Sequence, residues 1–190
     1  AVKPLLIADS NHADWAQSLT IRNSTFTDGT TAMPGAGIHV DGGFGGHPVV
    51  IDGTEISGNT SSGGAGGVAV FAASTVSITD SVISGNDGHS HGGGGYLSAA
   101  VASVVITSTS IEDNTSGYWG GGLYSATPSL AVIDSTVAGN VAELGSGGGL
   151  GVDASGGSLT IANSTITGNT ARGGGGVRAT DLATVTVNQS

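Results

Sequence analysis

The chain has 190 residues, enough for one sizeable domain, with 36 glycines, no cysteine and a formal net charge of −10. The absence of cysteine excludes disulfides and cysteine-bound metals. Fourteen acidic residues against four cations, Lys3, Arg22, Arg172 and Arg178, repel nucleic acid and anionic membranes, and no apolar run of about 18 residues is long enough to span a bilayer.

Residues 1–17 contain one apolar triplet, Leu5-Leu6-Ile7, which fits a strand of a partial N-terminal coil. From residue 18 the chain repeats itself six times. The first unit places Ile21, then Ser24, Phe26 and Gly29, and later the triplet Ile38-His39-Val40, followed by an outlying loop with Asp41, Phe44 and His47. The second places Ile51, Thr54, Ile56 and Asn59 ahead of Gly66-Gly67-Val68. The third has Ile78, Ser81, Ile83 and Asn86, a loop with Asp87, His89 and His91, and then Gly94-Gly95-Tyr96. The fourth has Ile106, Thr109, Ile111 and Asn114, a loop with Tyr118 and Trp119, and then Gly121-Gly122-Leu123. The fifth has Val132, Ser135, Val137 and Asn140, a loop with Glu143 and Leu144, and then Gly148-Gly149-Leu150. The sixth has Ile161, Ser164, Ile166 and Asn169, a loop with Arg172, and then Gly175-Gly176-Val177. Val185-Thr186-Val187 fits the first strand of a seventh.

The series from Gly29 through Asn59, Asn86, Asn114 and Asn140 to Asn169 steps by 30, 27, 28, 26 and 29 residues, a period that signals a solenoid. Each unit carries three short stretches with strand-like alternation, too short to stand as hairpins. The fold expected is all-β: a right-handed parallel β-helix of about six coils of 26–30 residues, three short strands per coil, residues 18–190 forming one domain. Stacked Asn59, Asn86, Asn114, Asn140 and Asn169 then form a structural ladder that bonds the turn backbone. Asn also tolerates the left-handed conformation that such a corner needs, and Gly29 meets the same need without a side chain. The Ser/Thr column lines another turn. Asn23, Asn59, Asn114 and Asn163 sit in Asn-x-Ser/Thr triplets, but Asn59 and Asn114 belong to the ladder.

The pairing of Ile56-Ser57-Gly58-Asn59 and its copies with Gly66-Gly67-Val68 and its copies resembles the polymorphic outer-membrane-protein type of β-helix repeat, over about residues 18–187. Ile replaces that family's Phe except at Phe26, and its Gly-Gly-Ala is mostly glycine here. The resemblance implies an extracellular, surface-displayed or secreted adhesin or autotransporter passenger.

A catalytic centre on such a rod needs paired carboxylates, or a base beside acidic residues, on one face of adjacent coils. The outer column read after the glycines (Leu6, His39, Ala69, Leu97, Tyr124, Gly151, Arg178) has no carboxylate. Glu55 and Glu112 fall two coils apart in different columns. Catalytic residues are therefore not assigned. The loops after each Asn are the chemically loaded edge. His89, His91, Tyr118, Trp119 and Glu143 are the candidate ligand-binding residues there, and Asp87, His89 and His91 the candidates for a divalent metal such as calcium. No cofactor is required.

The function expected is an adhesive or structural surface protein without catalytic activity. Its partners are glycans, cell-surface proteins, or further β-helix segments stacked end to end in a longer protein or filament. The alternatives are a pectate-lyase-like polysaccharide lyase or hydrolase, or a glycan-binding module, at the His89–Trp119–Glu143 edge. Ice binding through Thr25-Phe26-Thr27 and Thr165-Ile166-Thr167 ranks lowest, because the four coils between break that array.

Overall fold

The computed structural model describes residues 5–7, 18–41 and 46–189; Phe44 and most of the partial coil at 1–17 lie outside them. The described residues contain strands and no helix. Every pairing is parallel and joins a strand to its copy one repeat away, so the chain coils as a parallel β-helix. Each full coil contributes to four sheets, one more than the three-strand reading. In the third coil the strands are Ala73–Thr79 in the first sheet, Val82–Ser84 in the second, Asp87–Gly88 in the third and Gly95–Leu97 in the fourth. Leu5–Ile7 pairs with Ile38–Val40 as expected, and Val185 and Val187 continue the first-sheet columns of Leu159 and Ile161.

The register puts identical residue types on top of one another. Ile21, Ile51, Ile78, Ile106, Val132 and Ile161 form one inward column. Phe26, Ile56, Ile83, Ile111, Val137 and Ile166 form another on the second sheet. Ile51, Ile56, Ile78, Ile83, Ile106 and Ile111 are at most 1% exposed. Fully burying each is worth about 1.5–3 kcal/mol.

Two corners are built from repeated polar chemistry. Between the first and second sheets the chain turns through φ 46–55° at Asn23, Gly53, Asp80, Ser108, Asp134 and Asn163. The next residue is always Ser or Thr. Its hydroxyl donates to the carbonyl two residues back, as Ser81 does to Thr79 at 2.6 Å and Ser135 to Ile133 at 2.7 Å. The same oxygens accept from the preceding coil, Thr54 N–H reaching Ser81 Oγ at 3.1 Å and Thr109 N–H reaching Ser135 Oγ at 3.2 Å.

Between the second and third sheets stands the asparagine ladder. Asn114 Nδ2 donates to the Ile83 carbonyl and to Asn140 Oδ1, both at 2.9 Å. Asn114 Oδ1 accepts from Asn86 N–H at 3.0 Å and Asn86 Nδ2 at 2.9 Å. The pattern runs from Asn59 to Asn169. The left-handed residue is not the Asn but the one before it: Asp28, Gly58, Gly85, Asp113, Gly139 and Gly168, at φ 54–64°. The turn falls there, and the Asn side chain that follows reaches inward to the backbone of the neighbouring coils. Gly29 is likewise not left-handed. Its N–H donates to Asn59 Oδ1, and a Cβ there would lie 2.4 Å from the Ala36 carbonyl oxygen.

Beyond the ladder the inner column of the third sheet is small: Ser61, Gly88, Ser116, Ala142 and Ala171. Ser116 is fully buried and its hydroxyl has no hydrogen-bond partner among the described residues. An unpaired buried hydroxyl costs about 1–3 kcal/mol. Ser116→Ala is therefore expected to stabilise the chain by about 1 kcal/mol, raising its melting temperature by about 2–4 °C. A fall in melting temperature would show that the hydroxyl is satisfied.

Candidate functional site

The variable segments, not the ladders, distinguish one coil from the next. The third-to-fourth-sheet loops lie beside the outer face of the fourth sheet, whose outer column is His39, Ala69, Tyr96, Tyr124, Gly151 and Arg178. Leu97, placed in that column on sequence, is fully buried and pairs with the inward Val70. The four-glycine run Gly92–Gly95 causes the difference. Gly95, not Tyr96, takes the place of Val68, because the Leu123 side chain fills the space a Cβ there would need, at 2.8 Å. A one-residue slip exchanges the two faces of a strand, so Tyr96 turns outward.

The result is a row of rings along the rod. His39 Nδ1 is 2.6 Å from the Pro34 carbonyl oxygen, and its ring lies 5.2 Å from Phe71. Phe71 is 5.5 Å from Tyr96, which stacks on Tyr124 at 5.8 Å and 13°. Trp119 stacks on Tyr124 at 6.0 Å, and the Arg178 guanidinium stands 5.4 Å over the indole. His91 meets Trp119 and Tyr124 edge-on at 4.8 and 5.1 Å and lies 6.4 Å from Tyr118. Its Nδ1 is engaged by the Ser90 hydroxyl. These separations fall within the 4.5–7 Å range of favourable ring pairs, each worth about 0.5–1.5 kcal/mol beyond area burial.

Burial lowers the pKa of His91 below its ordinary 6.5. Burial also raises that of Tyr124, with the Asp153 carboxylate and Tyr96 adding to it and Arg178 opposing it. A histidine held neutral in the fold stabilises it above its ordinary pKa and loses that contribution as pH falls through the folded value. The chain is thus expected to melt lower at pH 5 than at pH 7.5, and His91→Gln to reduce that difference. An unchanged pH dependence in His91→Gln would remove His91 as its source.

Two hollows flank the loops. One, of about 170 Å³, is lined by Pro34, Gly63, Gly64, Ala65, Phe71, Ser90, His91 and Tyr96. The other, of about 260 Å³, is lined by Asp87, Gly88, His89, Gly117, Tyr118, Glu143 and Leu144. The five candidate binding residues therefore divide. His89, Tyr118 and Glu143 share the second hollow. His91 lines the first, and Trp119 lines neither but stacks in the ring row.

Asp87 and His89 share the second hollow without His91. Among the described residues no group of three His, Cys, Asp or Glu side chains could hold a metal ion. Sequence reading missed Phe71, Tyr96 and the stacking of Tyr124. Their signal was the spacing of Tyr96 and Tyr124, 28 residues apart, one coil length. Glu55 and Glu112 stand in separate outer columns of the second sheet, as read from sequence.

A family model described as "Right handed beta helix region" matches residues 6–190. The chain belongs to the right-handed β-helix family. No curated protein and no solved structure matches it. The family fixes the hand of this β-helix, and the ring row is built from outer positions of the fourth sheet and neighbouring segments whose residues differ from coil to coil.

Proposed function

We propose that this β-helix is an extracellular adhesive rod, surface-displayed or secreted, that binds a partner and leaves it chemically unchanged. The observation that carries the reading is the division of labour between columns. The repeated Asn, Ser and Thr side chains are consumed in coil-to-coil hydrogen bonds, while beside the fourth sheet runs a row of rings from His39 to Trp119 in which His39 and Tyr124 are buried and Phe71, Tyr96 and Trp119 are half-buried and reach the surface. Aromatic side chains supply large, stiff contact area and dominate recognition surfaces. The resemblance of the Asn and Gly-Gly motifs to surface-displayed repeats supports the extracellular setting.

The test is to pass polysaccharides, glycosylated proteins and bare proteins over immobilised chain, measuring retention and soluble products in the same vessel. Retention without product is the expected result. Product accumulating in proportion to the amount of chain would falsify the reading.

A second reading rests on the 260 Å³ hollow, where Asp87, His89, Tyr118 and Glu143 come from three successive coils. Carboxylates, an imidazole and a phenol around one opening are groups that can move protons in polysaccharide cleavage. If that reading holds, Glu143→Gln abolishes product release and leaves retention intact.

A further inference from the structure

We propose that the 170 Å³ cleft between Pro34, Ala65, Phe71, Ser90, His91 and Tyr96 binds one neutral sugar ring, the exposed end group of a glycan. The inference rests on the adhesive role above and names its ligand class and its seat.

Size comes first. A cavity of about 150 Å³ holds one benzene, so this cleft of about 170 Å³ has room for one six-membered ring. The walls come second. Phe71, Tyr96, Pro34 and Ala65 present apolar surface, and the polar side-chain atoms are those of Ser90, His91 and Tyr96. That combination suits a guest with C–H faces and a hydroxyl rim, which is a pyranose. Ser90 Oγ and His91 Nδ1 engage each other, and a plain aromatic ring would make no use of the Tyr96 hydroxyl or of the hydrogen-bonding capacity left on Ser90 and His91.

Charge comes third. Among the described residues the lining contains no Lys or Arg, and the chain as a whole carries −10, which disfavours an anionic sugar. The walls are also pre-set. Pro34 is held by His39, His91 by Ser90 and by the Trp119 and Tyr124 rings, and Phe71 lies between His39 and Tyr96. Fixed walls lower the ordering cost of binding. Coil two contributes Ala69 instead of a ring to the outer column, and Phe71 continues the row in its place.

The experiment titrates the intact chain with methyl glycosides of glucose, galactose and N-acetylglucosamine, using methyl glucuronide and phenol as anionic and aromatic comparisons. Saturation transfer to the ligand and amide shifts of the protein are read together. A neutral glycoside is expected to bind with a Kd of about 1 mM, the scale for a dozen ligand atoms, and to shift the amides of Phe71, Ser90 and His91. Phe71→Ala is expected to weaken it at least tenfold, by removing a wall. Ser90→Tyr, at the half-buried rim, is expected to weaken it equally by filling the mouth while the melting temperature holds.

No saturation by any neutral glycoside at tens of millimolar, tighter binding of methyl glucuronide or phenol, or unchanged binding in both variants each overturns the assignment. Retention on surfaces is decided separately. Retention with a silent cleft removes the sugar site and leaves adhesion standing, and glycoside binding without retention does the reverse.

Discussion

Replacing Asn114 with alanine is expected to destabilise the chain by about 4 kcal/mol, near the top of what one substitution does. Asn114 is fully buried and its amide makes four hydrogen bonds. The substitution strands the Asn86 N–H and a proton of Asn86 Nδ2 where water does not reach, and leaves the Ile83 carbonyl with its sheet partner alone. Each orphan costs about 1–3 kcal/mol, far more than the net gain of about 1 kcal/mol from an ordinary hydrogen bond. Asn169 makes the same kind of contacts at the last full coil but is only half-buried. Asn169→Ala is expected to cost about 1–2 kcal/mol, because water can replace the lost partners. Urea denaturation of the two variants checks the pair: the midpoint should fall much further for Asn114→Ala, with the slope unchanged. Equal shifts would show that burial does not govern the ladder.

Gly121→Ala is expected to be comparably severe, at about 3 kcal/mol or more. A Cβ at Gly121 would sit 2.3 Å from the Gly148 carbonyl oxygen and 2.5 Å from the Val141 carbonyl carbon and oxygen. All three are backbone atoms fixed by inter-coil hydrogen bonds, so nothing swings aside. Gly121 lies where the chain passes from the third sheet to the fourth, and its copies Gly93 and Gly148 meet the same carbonyl wall at 2.3–2.4 Å. Gly168 differs. It needs its φ of 64°, but its nearest neighbour is 3.6 Å from a Cβ. Asn already occupies such a conformation at Asn23 and Asn163, at 46° and 50°. Gly168→Asn is therefore expected to change stability by less than about 0.5 kcal/mol. Gly121→Ala is expected to lower the melting temperature by on the order of 10 °C. A mild Gly121→Ala would mean that the coils can separate locally at the glycine corner.

The apolar columns and the Asn column were legible in the sequence because each repeats at every coil and each residue's type states its face. Ile51, Ile78 and Ile106 cannot face water without losing their burial, so their spacing sets the coil. The two-residue strands of the third sheet, such as Asp87–Gly88, were not legible, since two residues carry no alternation. The left-handed residue of the Asn corner lies one position before the Asn that the sequence points to, because the conspicuous side chain is the Asn and the positive φ belongs to Gly58 or Asp113 before it.

The site was harder for a related reason. Four consecutive glycines before Tyr96 have no side chains to mark a face, so the register across them is set by Leu123 filling the space, a contact invisible from the sequence of one coil. Tyr118 and Trp119 read as one patch because they are adjacent. The corner separates them, Tyr118 to the hollow with His89 and Glu143, and Trp119 to the stack on Tyr124.

The structural role of the repeated asparagines is tested most directly by hydrogen exchange at their side-chain amides. The Nδ2 protons of Asn59, Asn86, Asn114 and Asn140, each at most 1% exposed, are expected to exchange as slowly as the core strand amides and with one common rate, because each is locked to the next. Exchange of these protons at the rate of free amides would contradict the ladder, and with it the conclusion that the repeat's polar columns are committed to holding the rod.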